Sequence, residues 1–437
     1  MKVLLVCHGY PPTGVTGVER ISAQVAGELT ARRHQVTVLT RRAAPEPEAF
    51  VLERDTRRGV PVVAIAGGGS GFGLFPLHEP ALERIFERML VEVDPDVVLI
   101  THLMHHSPGY VEIAHRWGVP VVFELHDHFV ICPRTHLQRV SGEACDGPEG
   151  GRACAVHCFP RQREAELRWA LRSKSFADAL RSADDVIAPS RFLADEIQPT
   201  RGVDQPIKVI ENAVAELGPV VRSERDPDAP LHLASIGVTT EHKGFQIVIE
   251  ALRQAAIPAR YTIFGIALKP GAEELRKAAE EAPELELRLF GGFPQHFLPA
   301  LLADADVVVV PSIVPETFSI VAREAFACGL PVIASNIGAL PEAIRDGEDG
   351  WLFEPGDANQ LAELLSRFDR DRDLLRVAAE QTRSNRLVSI RERTIRVERV
   401  LEEAVARGPR GDDGRSAELR MMREALIEAD IAAGLVV

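Results

Sequence analysis

Short runs of consecutive apolar residues alternate along this chain with segments whose apolar positions recur every three or four residues, and the alternation occurs twice. In the first series KVLLVCH, QVTVLT, PVVAIA, DVVLITH, PVVFELH and DDVIAPS predict strands buried on both faces, with amphipathic helices such as Glu19 to Arg32 and Ala81 to Val93 between them. After KVIENAV comes the polar, proline-containing GPVVRSERDPDAP, which reads as a linker and places a boundary within Ala215 to Pro230. A second series follows: LHLASIG, RYTIFG, LELRLFG, DVVVVPS and PVIAS. The pattern predicts an α/β protein of two doubly wound, Rossmann-like domains facing each other across a cleft, with ligands at the carboxyl ends of the strands. The expected divisions are 1–215, 216–407 and a charged, then apolar tail at 408–437, in which Ser416 to Ala433 predicts a helix. No repeat of solenoid period interrupts this scheme.

Length and charge narrow the function. The 437 residues, 46% of them hydrophobic, can bury two cores. A formal charge of −14 disfavours nucleic acid as a partner, because its phosphates meet a repulsive average field. No apolar run approaches the ~18–20 residues of a membrane span, and MKVLLVCHGY is too short and too soon broken by two prolines to read as a signal peptide. The expectation is a soluble, cytoplasmic protein whose six cysteines form no structural disulfides.

Candidate chemistry concentrates in PETFSIVAREAFACGLPVIAS, where two glutamates stand eight positions apart. DVVVV predicts a strand, PSIVPE a loop, and a helix is expected from about Phe318 or Ser319, so Glu316 falls in the loop and Glu324 in the second helical turn. The free amides around Thr317 to Ile320 form an anion site reinforced by the helix dipole. An anion between two carboxylates suits a ligand with a phosphate middle and hydroxyl-rich ends, such as a nucleotide sugar. The plain structural alternative is that Glu316 caps the helix and Glu324 is solvated.

The stretch PETFSIVAREAFACGLPVIASNIGALPEAIRDGEDGWLF resembles the E-x7-E region of glycosyltransferase family 4, retaining enzymes with the GT-B fold. The resemblance covers most of residues 1–400. It implies that Glu316 contacts the hydroxyls of the donor sugar, that Glu324 holds the ribose, and that Thr317, Phe318 and Ser319 belong to the donor site. SIGVTTEHKGFQIVIEAL resembles the family's phosphate-binding segment, with Lys243 at the lysine that neutralises the leaving diphosphate and Val238 where an arginine is usual. Losing that guanidinium removes a bidentate donor, for which His242 and the hydroxyls of Thr239 and Thr240 are candidate replacements. HGYPPTGVTGVERISAQVAGEL resembles the family's first glycine loop, with Gly14 and Gly17 letting backbone amides approach the diphosphate. His126, in PVVFELHDHF, resembles the histidine near the reacting sugar and is expected to face the cleft. The acceptor side is assigned to His105 and His106 of THLMHHSPG and to Arg134, and His102 ends the same strand. The activity implied is transfer, with no cofactor required, from a UDP- or GDP-sugar to an acceptor glycan, lipid-linked sugar or small molecule. A nucleotide-sugar epimerase or cyclitol transferase of the same fold, and a non-catalytic sugar-nucleotide binder, are the alternatives.

Two further segments carry expectations of their own. Cys132, Cys145, Cys154 and Cys158 lie in a glycine-rich insert at 128–160 with little strand pattern. A tetrahedral four-cysteine zinc site would supply the folding energy such a loop lacks; free or redox-active thiols, an iron–sulfur cluster and disulfides are the other readings. Residues Arg161 to Arg181 carry six basic side chains with Trp169 and Phe176 among them, which predicts either a peripheral contact with anionic lipid or a solvated helix face.

Overall fold

The computed structural model describes residues 1–12, 17–42, 50–67, 79–162, 164–203, 205–220, 229–269 and 271–409. The expected helix at Ser416 to Ala433 lies outside them. The described residues form two compact units, one made of residues up to Asn212 together with those from Ile390 to 409, the other of residues between Ala213 and Ser389.

The first unit is an eight-stranded sheet of β1 (Lys2–Cys7), β2 (Gln35–Arg42), β3 (Val51–Arg57), β4 (Val60–Ala66), β5 (Val97–Ile100), β6 (Val121–Glu124), β7 (Asp185–Ala188) and β8 (Lys208–Val209), in the order β3-β4-β2-β1-β5-β6-β7-β8. All described pairings are parallel except the β3–β4 hairpin. The apolar runs form the strands because helices cover both faces of a parallel sheet. Leu4, Val6, Ile100, Phe123 and Val186 pack in one cluster with Phe86 and Leu180 from covering helices. Sequence pattern did not reveal β3, whose VLERDTR is mostly exposed at the sheet edge, nor the two-residue β8.

The second unit is a six-stranded, all-parallel sheet of β9 (Leu231–Ile236), β10 (Ala259–Phe264), β11 (Leu285–Phe290), β12 (Val307–Val310), β13 (Val332–Ser335) and β14 (Gly350–Phe353). Its order, β11-β10-β9-β12-β13-β14, reverses direction between β9 and β12, which opens a crevice at their carboxyl ends. Leu233, Ile263, Val307 and Ile333 face one buried cluster, and Ala234, Phe264, Val308 and Val332 the other.

One expected assignment is corrected. Chain order puts helix Ile390–Arg407 with the second domain, which it follows in sequence, but the helix belongs to the first unit. Side chains along its length are tied there: Arg393 to Glu124 of β6 at 3.0 Å, Glu398 to Arg32 and His34 at 2.6 Å each, Glu403 to Lys208 at 2.9 Å, and Arg407 to Asp185. Chain order carries no trace of such a return.

The insert after β6 also differs from expectation. It has a core of its own, because Cys154 and Ala155 pack on Trp169 of helix Ala165–Ser182, and Phe159 stacks on that indole with ring centroids 4.3 Å apart. Gly151, at φ 105°, lies so close to the Trp169 backbone that a Cβ would overlap it. Arg172 lies over the Phe129 and Phe176 rings and donates to the Phe129 carbonyl. Trp169 and Phe176, 1% and 2% exposed, are therefore spent on packing and cannot form a lipid-facing surface. Among the described residues no helix is long and apolar enough to cross a membrane.

Candidate functional site

The expected donor residues meet at the carboxyl ends of β9 and β12. After β9 the chain forms a turn at Glu241–Lys243 that ends on Gly244 at φ 68°. A Cβ on Gly244 would overlap the Pro311 carbonyl oxygen, so the glycine lets this turn sit against the loop leaving β12. The Ile313 N–H donates to the His242 carbonyl at 3.0 Å and fixes the two loops together. As a result Lys243 Nζ donates to Glu316 Oε1 at 2.7 Å, and Ser312 Oγ donates to the same oxygen at 2.7 Å. Burial alone would raise the Glu316 pKa, but the Lys243 ammonium and then the Ser312 hydroxyl hold it below the usual carboxylate range. Gly338, at φ 64°, brings a third loop against the Glu316 backbone, and the Ala339 N–H donates to the Glu316 carbonyl at 2.7 Å.

Eight residues after Glu316, Glu324 lies on the short helix Ile320–Ala327 and is 4% exposed. The Gln295 side-chain amide donates to it. Ser319 precedes the helix at φ 55°, Phe318 is buried beneath the Arg323 guanidinium at 3.7 Å, and Thr317 is half-buried. The plain alternative for the glutamates is not what this geometry contains, since Glu316 does not cap the helix and Glu324 is not solvated. Of the candidate replacements for the absent arginine, Thr239 is already committed, accepting from the Leu268 N–H at 2.7 Å and donating to the Leu268 carbonyl at 3.2 Å. Thr240 and His242, in the same turn as Lys243, are partnered as well: the Thr240 hydroxyl lies 3.3 Å from His242 Nε2 and 3.4 Å from the Val238 carbonyl.

Sequence reasoning missed Ser312 and Gln295, and it missed an apolar rim. Ile266, Leu268, Phe290 and Phe297 are each close to half exposed at the ends of β10 and β11, around the Phe264–Phe293 pair. Large apolar groups left in water are a common feature of ligand-binding surfaces. Four exposed apolar residues spread over 32 positions give no periodic signal that sequence could supply.

In the first unit the order reverses between β1 and β5, and the residues after β1, β5 and β6 gather there. His8 follows β1, His102 follows β5, and Asp127 lies past β6. The His8 and His102 rings are 4.4 Å apart, His8 Nε2 is 3.4 Å from Glu19 Oε1, and His102 Nε2 is 3.2 Å from Asp127 Oδ2. Gly9 makes room for Glu19, whose carboxylate a Cβ there would strike. Burial would raise the Asp127 pKa, but the His102 imidazole holds the carboxyl down at about 2.

Other expectations for this unit are corrected. His106 is fully buried, donates from Nε2 to the Cys7 carbonyl at 2.9 Å, and is pushed by burial down to about 3, so it cannot face an acceptor. His126 was expected to face the ligand, yet its side chain is 2% exposed and turned to Glu124 at 3.2 Å. His105 is half-buried at φ 65° in the loop after β5, and Arg134 is half-buried in the insert. Gly17 opens helix Gly17–Ala31, while Gly14 lies outside the described residues. The zinc expectation is not supported: among the described residues no group of three or more His, Cys, Asp or Glu could hold a metal ion. Cys132 and Cys154 are buried and Cys145 and Cys158 half-buried, all free thiols. Burial, and then the neighbouring Cys132, pushes the Cys154 thiol up to about 12.

Family models match both parts of the chain. Residues 221–385 match the family model for glycosyl transferases group 1, and residues 15–216 match that for glycosyltransferase family 4. The chain is 37% identical over 164 residues to the colanic acid biosynthesis protein WcaL of Salmonella typhimurium, a match spanning 40% of that protein's length. It is 27% identical over 378 residues to a glycogen synthase of Mycobacterium tuberculosis, covering 83% of this chain and 84% of that one. Anabaena HepE, crystallised with UDP and glucose, superposes with a TM-score of 0.64 at 19% identity over 92% of this chain and 99% of its own. Likeness at that level establishes the fold: two Rossmann-like α/β units with parallel sheets, as in GT-B proteins.

Proposed function

We propose that this chain is a glycosyltransferase that takes a sugar from a nucleoside diphosphate donor with retention of configuration and passes it to an acceptor hydroxyl or amine. The observation that carries the reading is the Lys243–Glu316–Ser312 cluster at the β9/β12 crevice, beside a helix start and a second buried carboxylate eight residues on. A lysine with one carboxylate partner can exchange it for a diphosphate when a donor arrives. Charge then accumulates on that diphosphate as the glycosidic bond breaks, and Lys243 with the amides leading into helix Ile320–Ala327 stabilises it. Freed from the ammonium, Glu316 accepts hydrogen bonds from sugar hydroxyls, while Glu324 takes the ribose hydroxyls and the rim of Ile266, Phe290 and Phe297 receives the base. The solved complexes of HepE with UDP and with UDP-glucose support a donor of this class.

Incubating the purified chain with a panel of UDP- and GDP-sugars tests the reading. Binding of at least one donor, transfer to an acceptor and an unchanged anomeric configuration in the product are expected. No binding to any of them would overturn it, and full transfer by Glu316→Ala would remove its central residue. Donor incubated alone separates the rival readings, since an epimerase yields the epimer, a transferase slow hydrolysis, and a binder neither.

A further inference from the structure

The sequence at the end of β6 is Glu124-Leu125-His126-Asp127, and side chains of an extended chain alternate between faces. Glu124 and His126 share the inward face. Glu124 Oε2 accepts from His126 Nε2 at 3.2 Å and from Arg393 Nη2 at 3.0 Å, and all three side chains are at most 2% exposed. Asp127, extended at φ −150°, goes the other way, with its carboxylate 26% exposed. Its Oδ1 accepts from the Phe129 N–H at 2.7 Å, and both oxygens lie 3.2–3.3 Å from His102 Nε2. The Met104 N–H donates to His102 Nδ1 at 3.0 Å, which obliges the imidazole to carry its proton on Nε2 and point it at Asp127. The His8 ring lies tilted against that of His102, with centroids 4.4 Å apart.

We propose that Asp127, oriented by His102, is the group in the first unit that accepts a hydrogen bond from the acceptor substrate, and that His126 is a positioning residue acting inward through Glu124 and Arg393. The assignment rests on the transfer reading above and adds to it the side chain that holds the acceptor's hydroxyl or amine. A carboxylate offers about four lone-pair sites and no proton. The Phe129 amide and the imidazole occupy up to three, so an accessible one remains, and its partner must be an atom that carries hydrogen. An acceptor hydroxyl of a sugar or polyol, or an amine, meets that need; a phosphate oxygen does not. The cluster lies at the carboxyl ends of β1, β5 and β6, where an open α/β sheet binds its ligand.

The test uses the full chain, a nucleotide sugar that the wild type binds, and glucose, mannose, myo-inositol and glycerol as acceptors. Asp127→Asn is expected to lower kcat/KM for the acceptor about 10- to 100-fold, the size of a hydrogen bond to a charged group, while donor Kd stays within about twofold. His102→Gln, whose amide can still donate to Asp127, is expected to keep more acceptor affinity than His102→Phe at equal melting temperature. Unchanged acceptor kcat/KM in Asp127→Asn, or an equal loss of donor affinity, would overturn the assignment. So would a wild type that binds donor but transfers to none of the four. A wild type that binds no nucleotide sugar removes the transfer reading first, and this assignment with it.

Discussion

Lys243 Nζ lies 2.7 Å from Glu316 Oε1, so the cation expected to meet a leaving diphosphate and the carboxylate expected to meet the sugar neutralise each other. Both side chains are largely buried, 29% and 17% exposed, and separating them leaves an uncompensated charge. Lys243→Ala is expected to cost about 1–2 kcal/mol of stability, less than for a deeply buried pair because water still screens it. Since the ammonium holds the Glu316 pKa down, that contribution is present above the ordinary carboxylate range and fades as pH falls through it. Thermal melts of the variant at pH 7 and pH 4 check this, and transfer should fall at least about 100-fold at pH 7.

Gly338 offers a test of geometry rather than charge. Its positive φ and its closeness to the Glu316 backbone leave no place for a Cβ. Gly338→Ala is expected to cost about 1–3 kcal/mol and to shift the loop that carries Glu316. Turnover should therefore drop more than melting temperature does, since small misplacements of a positioned group are costly. Wild-type turnover in a destabilised variant would contradict this.

Glu324 is buried and accepts a hydrogen bond from the Gln295 side-chain amide. Calorimetric titration with UDP and with GDP is expected to show about tenfold weaker binding to Glu324→Ala for whichever nucleotide the wild type prefers, the scale of lost hydrogen bonds to a charged group. Equal affinity in variant and wild type would place the ribose elsewhere.

The Arg393–Glu124 pair should dominate the acid response of the first unit. Burial works to raise the Glu124 pKa, and Arg393 and His126 overrule it, holding the carboxyl at about 2 against an ordinary value of 4.5. A depressed folded-state value stabilises above the unfolded pKa, and that stability is lost as pH falls from about 4.5 toward 2. Arg393→Met is expected to cost about 3–5 kcal/mol at pH 7. The gap from wild type should narrow as acid protonates Glu124. A Glu124→Leu, Arg393→Met double variant should recover most of the loss, and denaturant melts across pH give the comparison.

Thiol chemistry checks the correction to the cysteine insert. Cys7, Cys154 and Cys328 are each pushed up to about 12 with burial as the leading cause, and their protonated thiols should resist alkylation at neutral pH. Half-buried Cys145 and Cys158 should react first, as read by mass spectrometry of tryptic peptides. A chelator should leave the melting temperature unchanged, because Trp169 and Arg172 hold the insert. Stoichiometric zinc with four protected thiols would reverse the correction.

The parts of the fold legible in sequence were those whose signal is local. Apolar runs such as VVVV at β12 announce buried strands, and the PETFSIVARE stretch announces a loop and helix with two carboxylates on it. What sequence could not carry is pairing at a distance. Arg393 meets Glu124 across 269 positions, and Gln295 meets Glu324 from another loop. His106 and His126 read as site residues from their places at strand ends, but a strand end does not fix which way the side chain turns. Four cysteines in a stretch with little strand pattern predict a metal to supply its folding energy, but the core comes from Trp169, eleven residues beyond the last of the four cysteines.

Helix Ile390–Arg407 makes the first unit discontinuous, with the whole of Ala213–Ser389 inserted between its parts. On the ribosome, where amino-terminal domains ordinarily fold first, the order is inverted. The second unit can complete its sheet while the first still lacks the guanidinium that neutralises Glu124 and the glutamate that holds Arg32 and His34. Until residue 393 has been synthesised, the nascent first unit holds the Glu124 carboxylate without the Arg393 guanidinium. A fragment ending at Asn212 would remain in that state permanently, whereas 213–389 can be excised as one uninterrupted piece of chain.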